Sequence, residues 1–174
     1  ELGLSENTII IFTADNGTDV PVVSMKNNIA VPGGKGKTID SGTHVPLIIK
    51  WDGVIEPGIL NESLIDFSDF YPTILDISGI KYTNNSDLDG ISFYSQFFGD
   101  YKSKRNWIHS WYNRSGASSP TDVTYEWVRN ETYKFYRGNR FYNVKNDPEE
   151  LINISWNNMT KEEKLIRENF IHVL

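Results

Sequence analysis

The sequence contains no cysteine in its 174 residues, and this absence excludes several kinds of chemistry. No disulfide can crosslink the fold, and no thiolate can bind a metal or attack a substrate. A run of about 18 apolar residues, which a membrane-spanning helix requires, is also absent. An excess of positive charge is missing as well, because 17 Lys and Arg face 23 Asp and Glu for a formal net charge of −6. A transmembrane segment and a nucleic-acid partner are therefore not expected.

The first residues of the chain, Glu1-Leu2-Gly3-Leu4, include neither a methionine nor the segments of a signal peptide. We therefore expect the chain to be a piece of a longer protein. Its length suffices for one domain with a hydrophobic core, and its 39% hydrophobic and 23% charged residues are ordinary for a globular protein. The cysteine count leaves the cellular compartment undecided.

A strand that ends at polar residues is predicted near the start of the chain. Residues 8–13 form a β-branched and apolar run, and Asp15, Asn16 and Gly17 follow it closely. An unbroken run of this kind is typical of a strand buried on both faces. Ligands of open α/β sheets bind beyond the carboxyl ends of the strands, and a carboxylate beside an amide offers the oxygen ligands that calcium or magnesium prefers. The residues alone leave a plain turn equally open, because Asn-Gly also favours a tight hairpin, although residues 18–28 are poor strand material.

A glycine-rich segment with two lysines, residues 32–46, leads into a second predicted strand, residues 45–51. Glycine lets a backbone approach a bound group closely, and a lysine between glycines, such as Lys35, can reach an anion without obstruction. The match to a phosphate-binding P-loop fails. Val31 occupies the place of the required first glycine, and the segment precedes a strand rather than a helix.

Two further regions of regular structure are predicted downstream. Apolar residues at helical spacing predict a helix that begins after Ser68 or Asp69, has Pro72 in its first turn and ends at Gly79. From residue 107 the pattern alternates with period two, which predicts an antiparallel meander, followed by a helix whose first turn has a capping box. The predicted strands are residues 107–112, 124–129, 132–136 and 140–144, and the predicted helices are residues 69–77, 91–98 and 160–173.

The order and spacing of several motifs resemble the C-terminal half of a type I, formylglycine-dependent sulfatase (arylsulfatase) of the alkaline phosphatase superfamily. The first motif is Thr-Ala-Asp-Asn-Gly at residues 13–17. The second is the series Gly34-Lys35-Gly36-x-Thr38-x-Asp40-x-Gly42-x-His44-x-Pro46. Further matching segments are residues 47–53, 69–76, 88–92 and 141–150, the last being similar to a Tyr-Asp-Leu-x-x-Asp-Pro-x-Glu segment.

The resemblance implies an α/β fold in two parts. Residues 1–100 are expected to form the C-terminal portion of an alkaline-phosphatase-like α/β/α sandwich. Residues 101–174 are expected to form a small C-terminal α+β subdomain with a four-stranded antiparallel sheet and one helix. The boundary is expected within the polar residues 99–106.

The resemblance also implies roles for individual residues. Asp15 and Asn16 are expected to be two ligands of Ca2+, and Lys35 is expected to be a catalytic lysine that binds the sulfate and the leaving-group oxygen. An amide rather than an imidazole after the aspartate favours calcium over zinc or manganese. The family nucleophile is a formylglycine within a Cys/Ser-x-Pro-x-Arg motif. Because that motif is absent here, we expect the formylglycine upstream of this chain and no turnover by the chain alone.

Several other residues are interpreted with alternatives. His44 either binds the substrate or hydrogen-bonds a backbone group at the start of the second strand. Lys37 is interpreted as solvated, and His109 and His172 as structural. The tryptophans and tyrosines of the predicted meander are interpreted mostly as core residues and cross-strand pairs. The alternative is that one or two of them on the loop of residues 112–121, which contains Arg114, stack on a sugar ring. Glycosylation sequons, which have meaning only in a secreted eukaryotic protein, begin at Asn61, Asn84, Asn113 and Asn130.

The implied function is hydrolysis of sulfate esters, with a sulfated small molecule (an aryl sulfate) or a sulfated carbohydrate as substrate. Two alternatives remain open. One is a phosphoesterase or phosphonate monoester hydrolase of the same superfamily, and the other is a non-catalytic member that acts as a binding module. Export to the periplasm, the cell surface or the medium is expected, and the oligomeric state is left open.

Overall fold

The computed structural model describes residues 2–81, 88–102, 104–113 and 123–174. The sequon at Asn84 and the loop residue Arg114 lie outside these ranges. No helix in the described ranges is long and apolar enough to cross a membrane. In chain order the strands and helices are β1 (Ile9–Thr13), β2 (Val23–Lys26), β3 (Ile29–Pro32), α1 (Asp40–Thr43), β4 (Leu47–Trp51), α2 (Phe70–Ile77), β5 (Ile108–Asn113), β6 (Thr124–Arg129), β7 (Tyr133–Tyr136), β8 (Phe141–Asn143) and α3 (Lys161–Val173).

The chain forms two compact units that are each assembled from two segments. The first unit comprises residues 1–12 and 48–108, and the second comprises residues 13–47 and 109–174. The second unit thus combines the residues that follow β1 and the glycine-rich segment with the C-terminal sheet and helix. The domain boundary near residue 100 that the resemblance implies stays a prediction.

Strands β1 and β4 pair in a two-stranded sheet. Both strands were predicted, and β4 begins at Leu47 rather than at Val45. The prediction that β1 is buried on both faces is wrong for this chain, because Ile10 and Phe12 are 56% and 59% exposed. Only two strands form this sheet in the described ranges, so these apolar side chains have too few neighbours to be covered.

A hairpin that the sequence interpretation missed follows the acid–amide pair. Strands β2 and β3 pair antiparallel, with Lys26 opposite Ile29. The two turn residues, Asn27 and Asn28, have left-handed φ values of 51° and 63°. This is the geometry of a type I′ turn, which asparagine tolerates better than most residues. Residues 18–28 were predicted to be poor strand material because they are largely polar and have a proline near their start, and the turn signal Asn-Asn is weaker than Asn-Gly.

Helix α2 begins at Phe70, directly after Asp69, which is one of the two predicted N-cap positions. A 3₁₀ turn, Phe67–Asp69, precedes it, and the side chain of Asp66 caps that turn by accepting from the Ser68 amide at 2.9 Å. Pro72 lies in the first helical turn and Gly79 follows the end with a φ of 65°, as predicted. The buried carboxylate of Asp69 then pairs with the Arg105 guanidinium and accepts from the Ile91 amide at 2.7 Å. The predicted helix at 91–98 is a 3₁₀ turn, Tyr94–Phe98.

The predicted C-terminal meander and helix are confirmed. Strands β5, β6, β7 and β8 are neighbours in that order, and β6, β7 and β8 pair antiparallel. The Thr160 hydroxyl accepts from the Glu163 amide at 3.2 Å while the Glu163 carboxylate accepts from the Thr160 amide at 2.8 Å, which is the expected capping box of α3. We call the β5–β8 sheet the small sheet.

The small sheet has two apolar faces, because alternate side chains of its strands point to opposite sides. One face packs against α3 and contains Val128, Phe135, Phe141 and Phe170 in a single buried cluster. The second cluster occupies the opposite face and contains Trp127, Tyr136, Tyr142 and Val144. Most aromatic residues of β6, β7 and β8 are therefore core residues, whereas Trp111 of β5 is 54% exposed.

Candidate active site

The acid–amide pair lies directly after β1, as predicted. Asp15 is exposed and Asn16 is half-buried. We call residues 14–19 the acid–amide loop. The Gly17 amide, which follows the pair, donates to the Gly42 carbonyl at 2.9 Å. The position of Asp15 and Asn16 is thereby tied to a segment 25 residues further along the chain, at Gly42.

The glycine-rich segment lies against the acid–amide loop. We call residues 33–44 the lysine loop. The Lys35 amide donates to the Thr18 carbonyl at 3.0 Å, and the Gly33 amide donates to the Val22 carbonyl at 2.8 Å. The Lys35–Thr18 and Gly17–Gly42 bonds join the two loops along their backbones, and the Gly33–Val22 bond fixes the start of the lysine loop. The loops that carry Asp15, Asn16 and Lys35 are therefore neighbours in the second unit.

Glycine is required at several motif positions because other atoms of the acid–amide and lysine loops approach these positions too closely for a Cβ atom. A Cβ atom on Gly17 would lie 1.9 Å from the Ser41 carbonyl oxygen. A Cβ on Gly34 would lie 2.2 Å from Ser41 Oγ, and one on Gly42 would lie 2.3 Å from the Lys37 carbonyl oxygen. No side chain fits at such distances. Gly17 is thus explained by the packing of the acid–amide loop on the lysine loop, and Gly34 and Gly42 by the packing of the lysine loop on itself.

The side chain of Lys35 is exposed, and so is that of Lys37. Within the described ranges, the Lys35 ammonium and the Asp15 carboxylate have no hydrogen-bond or ion-pair partner. Gly36 between the two lysines has a left-handed φ of 82°, which a residue with a side chain adopts only at a cost. Both charged groups of the acid–amide and lysine loops are therefore available to a ligand.

Asp40 and His44 are neighbours at the two ends of α1. Asp40 accepts from Arg129 Nη1 at 2.5 Å, and its other carboxylate oxygen lies 3.8 Å from His44 Nδ1. Burial alone would raise the pKa of Asp40, but the His44 ring and the positive charge of Arg129 outweigh it and hold the pKa below its usual value. The His44 side chain is 71% exposed. Its backbone amide caps α1 by donating to the Asp40 carbonyl at 2.8 Å, and a substrate contact by its ring stays a prediction.

A buried ion pair that the sequence interpretation missed contacts the lysine loop from the small sheet. The Lys134 ammonium donates to Glu150 Oε1 at 2.7 Å and also to the Thr38 carbonyl. The Tyr136 hydroxyl donates to Glu150 Oε2 at 2.6 Å and accepts from the Thr38 hydroxyl at 2.9 Å. The Lys134 side chain is fully buried, 0% exposed. We call Lys134, Tyr136 and Glu150 the anchor network.

Electrostatics of the anchor network follow from its burial. Burial lowers the pKa of the Lys134 ammonium, and the Glu150 carboxylate beside it opposes that shift. Burial and the hydrogen bond donated to Glu150 raise the pKa of Tyr136, so its hydroxyl keeps its proton. The ammonium also lies 4.8 Å from the centres of the Trp127 and Tyr136 rings, where cation–π attraction offsets part of the lost hydration. The sequence signal that could have revealed this network is Lys134 itself, a lysine in a strand whose other residues are aromatic.

The oxygen donors of the acid–amide loop fit calcium in kind but not in number. A carboxylate and an amide oxygen are hard ligands, but Ca2+ takes about 6–8 oxygen ligands. The described ranges contain no group of three or more His, Cys, Asp or Glu side chains that could hold a metal ion. Asp15 and Asn16 therefore form at most part of a site.

The other two histidines lie on the small sheet and on helix α3. His109 Nε2 lies 3.1 Å from Glu126 Oε1 on the neighbouring strand β6, and His172 lies in the last turn of α3. Both side chains are exposed, and a structural role for these residues stays a prediction.

Comparison with known proteins identifies the family of the chain. The family model described as Sulfatase matches residues 1–80. The chain belongs to the sulfatase family. It is 42% identical over 92 residues to the uncharacterized sulfatase YdeN of Escherichia coli, and the aligned residues cover 52% of this chain and 16% of that protein. It is 31% identical over 175 residues to a sulfatase of Formosa agariphila, which covers 96% of this chain and 30% of that protein.

The fold of the sulfatases extends over nearly the whole chain. A solved structure of BT4656 in complex with its substrate, D-glucosamine-2-N,6-O-disulfate, matches with a TM-score of 0.72 and 22% identity, over 99% of this chain and 35% of that one. The predicted α/β sulfatase fold class is thus confirmed. The chain spans about a third or less of the length of each of these relatives.

Proposed function

We propose that this chain supplies one side of a sulfatase active site that hydrolyses sulfate esters. The observation that carries this proposal is the backbone contact between the two loops of the second unit. The Gly17–Gly42 and Lys35–Thr18 hydrogen bonds join the loop of an acid and an amide to the loop of an exposed lysine. A cation-binding pair and an ammonium on adjoining loops suit an anionic ester, whose oxygens need compensation from both.

In this proposal Asp15 and Asn16 hold Ca2+ together with oxygen ligands from elsewhere in the complete protein. When bound, the cation would compensate charge on the non-bridging sulfate oxygens as a Lewis acid. The oxygen chemistry of the two residues supports calcium over zinc, which imidazole suits better. The nucleophile, a formylglycine in the family, is proposed to come from upstream of these residues.

Lys35 is proposed to bind a sulfate oxygen and to compensate the charge that develops on the leaving oxygen. A lysine whose backbone is already in place has only its side chain to order as the S–O bond breaks. The Lys35 amide is fixed by its hydrogen bond to Thr18, and the exposed side chain has no competing partner within the described ranges. His44 is proposed as a second substrate contact, beside Asp40 at the far end of the lysine loop.

A sulfated carbohydrate is the substrate class that we favour. The structural neighbour BT4656 has a disulfated glucosamine as its substrate, and its fold extends over 99% of this chain. An aryl sulfate is the competing substrate class. Export of the complete protein to the periplasm, the surface or the medium, where sulfated polymers are found, also stays a proposal.

The test is a pair of variants in the complete protein. Lys35→Ala removes the proposed sulfate-binding ammonium, and Lys37→Ala removes an exposed ammonium two residues away on the same loop. We expect Lys35→Ala to lower kcat/KM by about 100- to 1000-fold, the usual effect of losing one preorganised donor, and Lys37→Ala to change it less than about threefold. Sulfate release is measured by ion chromatography from 4-nitrophenyl sulfate and from 2-N- and 6-O-sulfated glucosamine.

Three results would contradict the proposal. Equal activity of the Lys35→Ala and unsubstituted proteins would remove the role of Lys35. Faster release of phosphate than of sulfate from matched nitrophenyl esters would favour a phosphoesterase. Failure of the complete, calcium-loaded protein to release sulfate from any of the esters would favour a non-catalytic binding module.

A further inference from the structure

The lysine loop is fixed to the small sheet at two of its motif residues, Thr38 and Asp40. Thr38 uses its carbonyl to accept from Lys134 and its hydroxyl to donate to Tyr136. Asp40 pairs with Arg129 of β6 at 2.5 Å. These two motif residues are therefore committed to the protein itself, and the part of the loop before them, which includes Lys35, extends from a fixed base.

Burying the charged groups of the anchor network is energetically unfavourable. An isolated ammonium buried without a partner is strongly unfavourable, so Lys134 persists at 0% exposure only because Glu150, the Thr38 carbonyl and two aromatic rings surround it. A buried ion pair of this kind is seldom more stable than apolar side chains of the same volume. Its advantage is directional, because hydrogen bonds fix the position of the acceptor more narrowly than apolar contact does.

Glu150 completes the network from a turn in which its own backbone is left-handed. Its φ is 55°, in the left-handed region. Asp147, at the start of the same turn, accepts from the Leu151 amide at 3.0 Å and from the Ile152 amide at 2.8 Å. The Asp-Pro-x-Glu segment thus fixes the carboxylate beneath the lysine loop, and its acids are occupied by structure.

We propose that the anchor network of Lys134, Tyr136 and Glu150 positions Lys35 for its contact with the sulfate, by holding Thr38 three residues away. The members of the network are positioning residues, and they reach no substrate themselves. This inference rests on the proposed function of Lys35. It assigns the small sheet a part in the reaction beyond that of a folded support.

The experiment uses the complete protein and removes the two buried charges together. The double variant Lys134→Met/Glu150→Gln leaves no unpaired charge, and the new amide can still accept from Tyr136, so the fold is kept while Thr38 loses its ammonium partner. The control is Lys145→Met/Glu149→Gln, the same two changes at exposed positions nearby. Tyr136→Phe is a second, milder variant that keeps both charges and removes the hydrogen bonds of the hydroxyl with Thr38 and Glu150.

We expect the anchor double variant to lower kcat by about 10- to 100-fold with little change in KM, since small misplacements of a catalytic group cost that much. In a Lys35→Ala background the same double change should cost less than about threefold, because the group that it misplaces is already gone. A purely structural role predicts equal losses in both backgrounds. The control variant should keep full activity and an unchanged thermal midpoint.

Two outcomes are decisive, and they separate this inference from the proposed function. If Lys35→Ala lowers turnover but a folded double variant and Tyr136→Phe do not, the positioning role is overturned and the proposed function stands. If Lys35→Ala itself has no effect, the function of Lys35 and the positioning role fall together. Should the double variant not fold, the loss of kcat in Tyr136→Phe, and its absence in the Lys35→Ala background, decides the question.

Discussion

At the scale of single residues, the family motif divides into residues that we propose to contact a ligand and residues that pack against the protein. The side chains of Asp15 and Lys35 are exposed and have no hydrogen-bond or ion-pair partner within the described ranges. The side chain of Asn16 is half-buried. Gly17, Gly34 and Gly42 are needed because a Cβ at any of them would lie within 2.3 Å of another residue. A motif residue therefore need not be a catalytic residue, and a glycine in particular can mark a close approach of two backbones.

Gly17 gives the sharpest prediction at this scale. In Gly17→Ala the added Cβ meets the Ser41 carbonyl at 1.9 Å, so one of the two loops must shift. We expect the free energy of unfolding to fall by about 1–3 kcal/mol, the usual cost of overpacking, with a parallel loss of turnover. Denaturant titration of the complete protein measures it. Thr18→Ala, which keeps the carbonyl that Lys35 uses, is the control, and equal stability of the two variants would refute the packing explanation.

At the scale of elements, the lysine loop depends on the small sheet more than on its own secondary structure. Helix α1 is four residues long, too short to be stable by itself. Arg129 of β6 and the anchor network on β7 hold it through Asp40 and Thr38. The element that bears the candidate lysine is thus stabilised by strands that lie nearly a hundred residues away in the sequence.

Acid should weaken this attachment in a predictable way. The pKa of Asp40 is below its usual value in the folded protein, so the stability that its carboxylate contributes is fully present above its unfolded pKa, about 3.9. That contribution is lost as the pH falls through the lower folded pKa. We expect Asp40→Asn to cost about 1.5–3 kcal/mol at pH 7, the worth of a hydrogen bond to a charged group, and progressively less below pH about 4.

Thermal melting of the unsubstituted and Asp40→Asn proteins, from pH 7 down to about pH 3, measures this difference. Asp52→Asn is the control, since Asp52 pairs with Lys50 at 3.2 Å on the exposed surface. A stability gap between the Asp40 variant and the unsubstituted protein that stays constant across this pH range would show that the carboxylate charge is not responsible.

At the scale of the whole molecule, the chain contains a folded part of a sulfatase and two ligands of a proposed metal site. It spans 30% of the Formosa agariphila sulfatase and 35% of the BT4656 structure. Strands β1 and β4 leave apolar side chains such as Ile10 and Phe12 exposed. Activity is accordingly a property that we propose for the complete protein.

Calcium should stabilise that complete protein. Ligand binding to the folded state alone raises stability by about 2.7 kcal/mol when the free ion is at 100 times its dissociation constant. We expect added Ca2+ to raise the thermal midpoint, and chelation to lower it, in the unsubstituted protein. In Asp15→Ala the midpoint should respond little, whereas in the control Asp19→Ala it should respond fully. An equal response in Asp15→Ala would remove this residue from the metal site.

Much of the fold was predictable because local patterns determine it. The alternation in residues 124–144 and the capping box at Thr160 predicted β6 to β8 and the start of α3, which the structure confirms. The hairpin β2–β3 was missed because its turn residues, Asn27 and Asn28, are weak signals without glycine. Burial of β1 was predicted wrongly because burial depends on neighbouring layers, which a run of apolar residues cannot reveal.

The sequence by itself determined the family, most of the strands and helices, and the identity of the candidate ligands Asp15, Asn16 and Lys35. Each of these rests on residues close together in the chain, where spacing and residue type carry the information. Only the tertiary structure decided that Thr38 and Asp40 are held by Lys134 and Arg129 of the small sheet. Contacts between residues 89 to 98 positions apart leave no local pattern, since they form only when the folded backbone brings distant charges into one buried place.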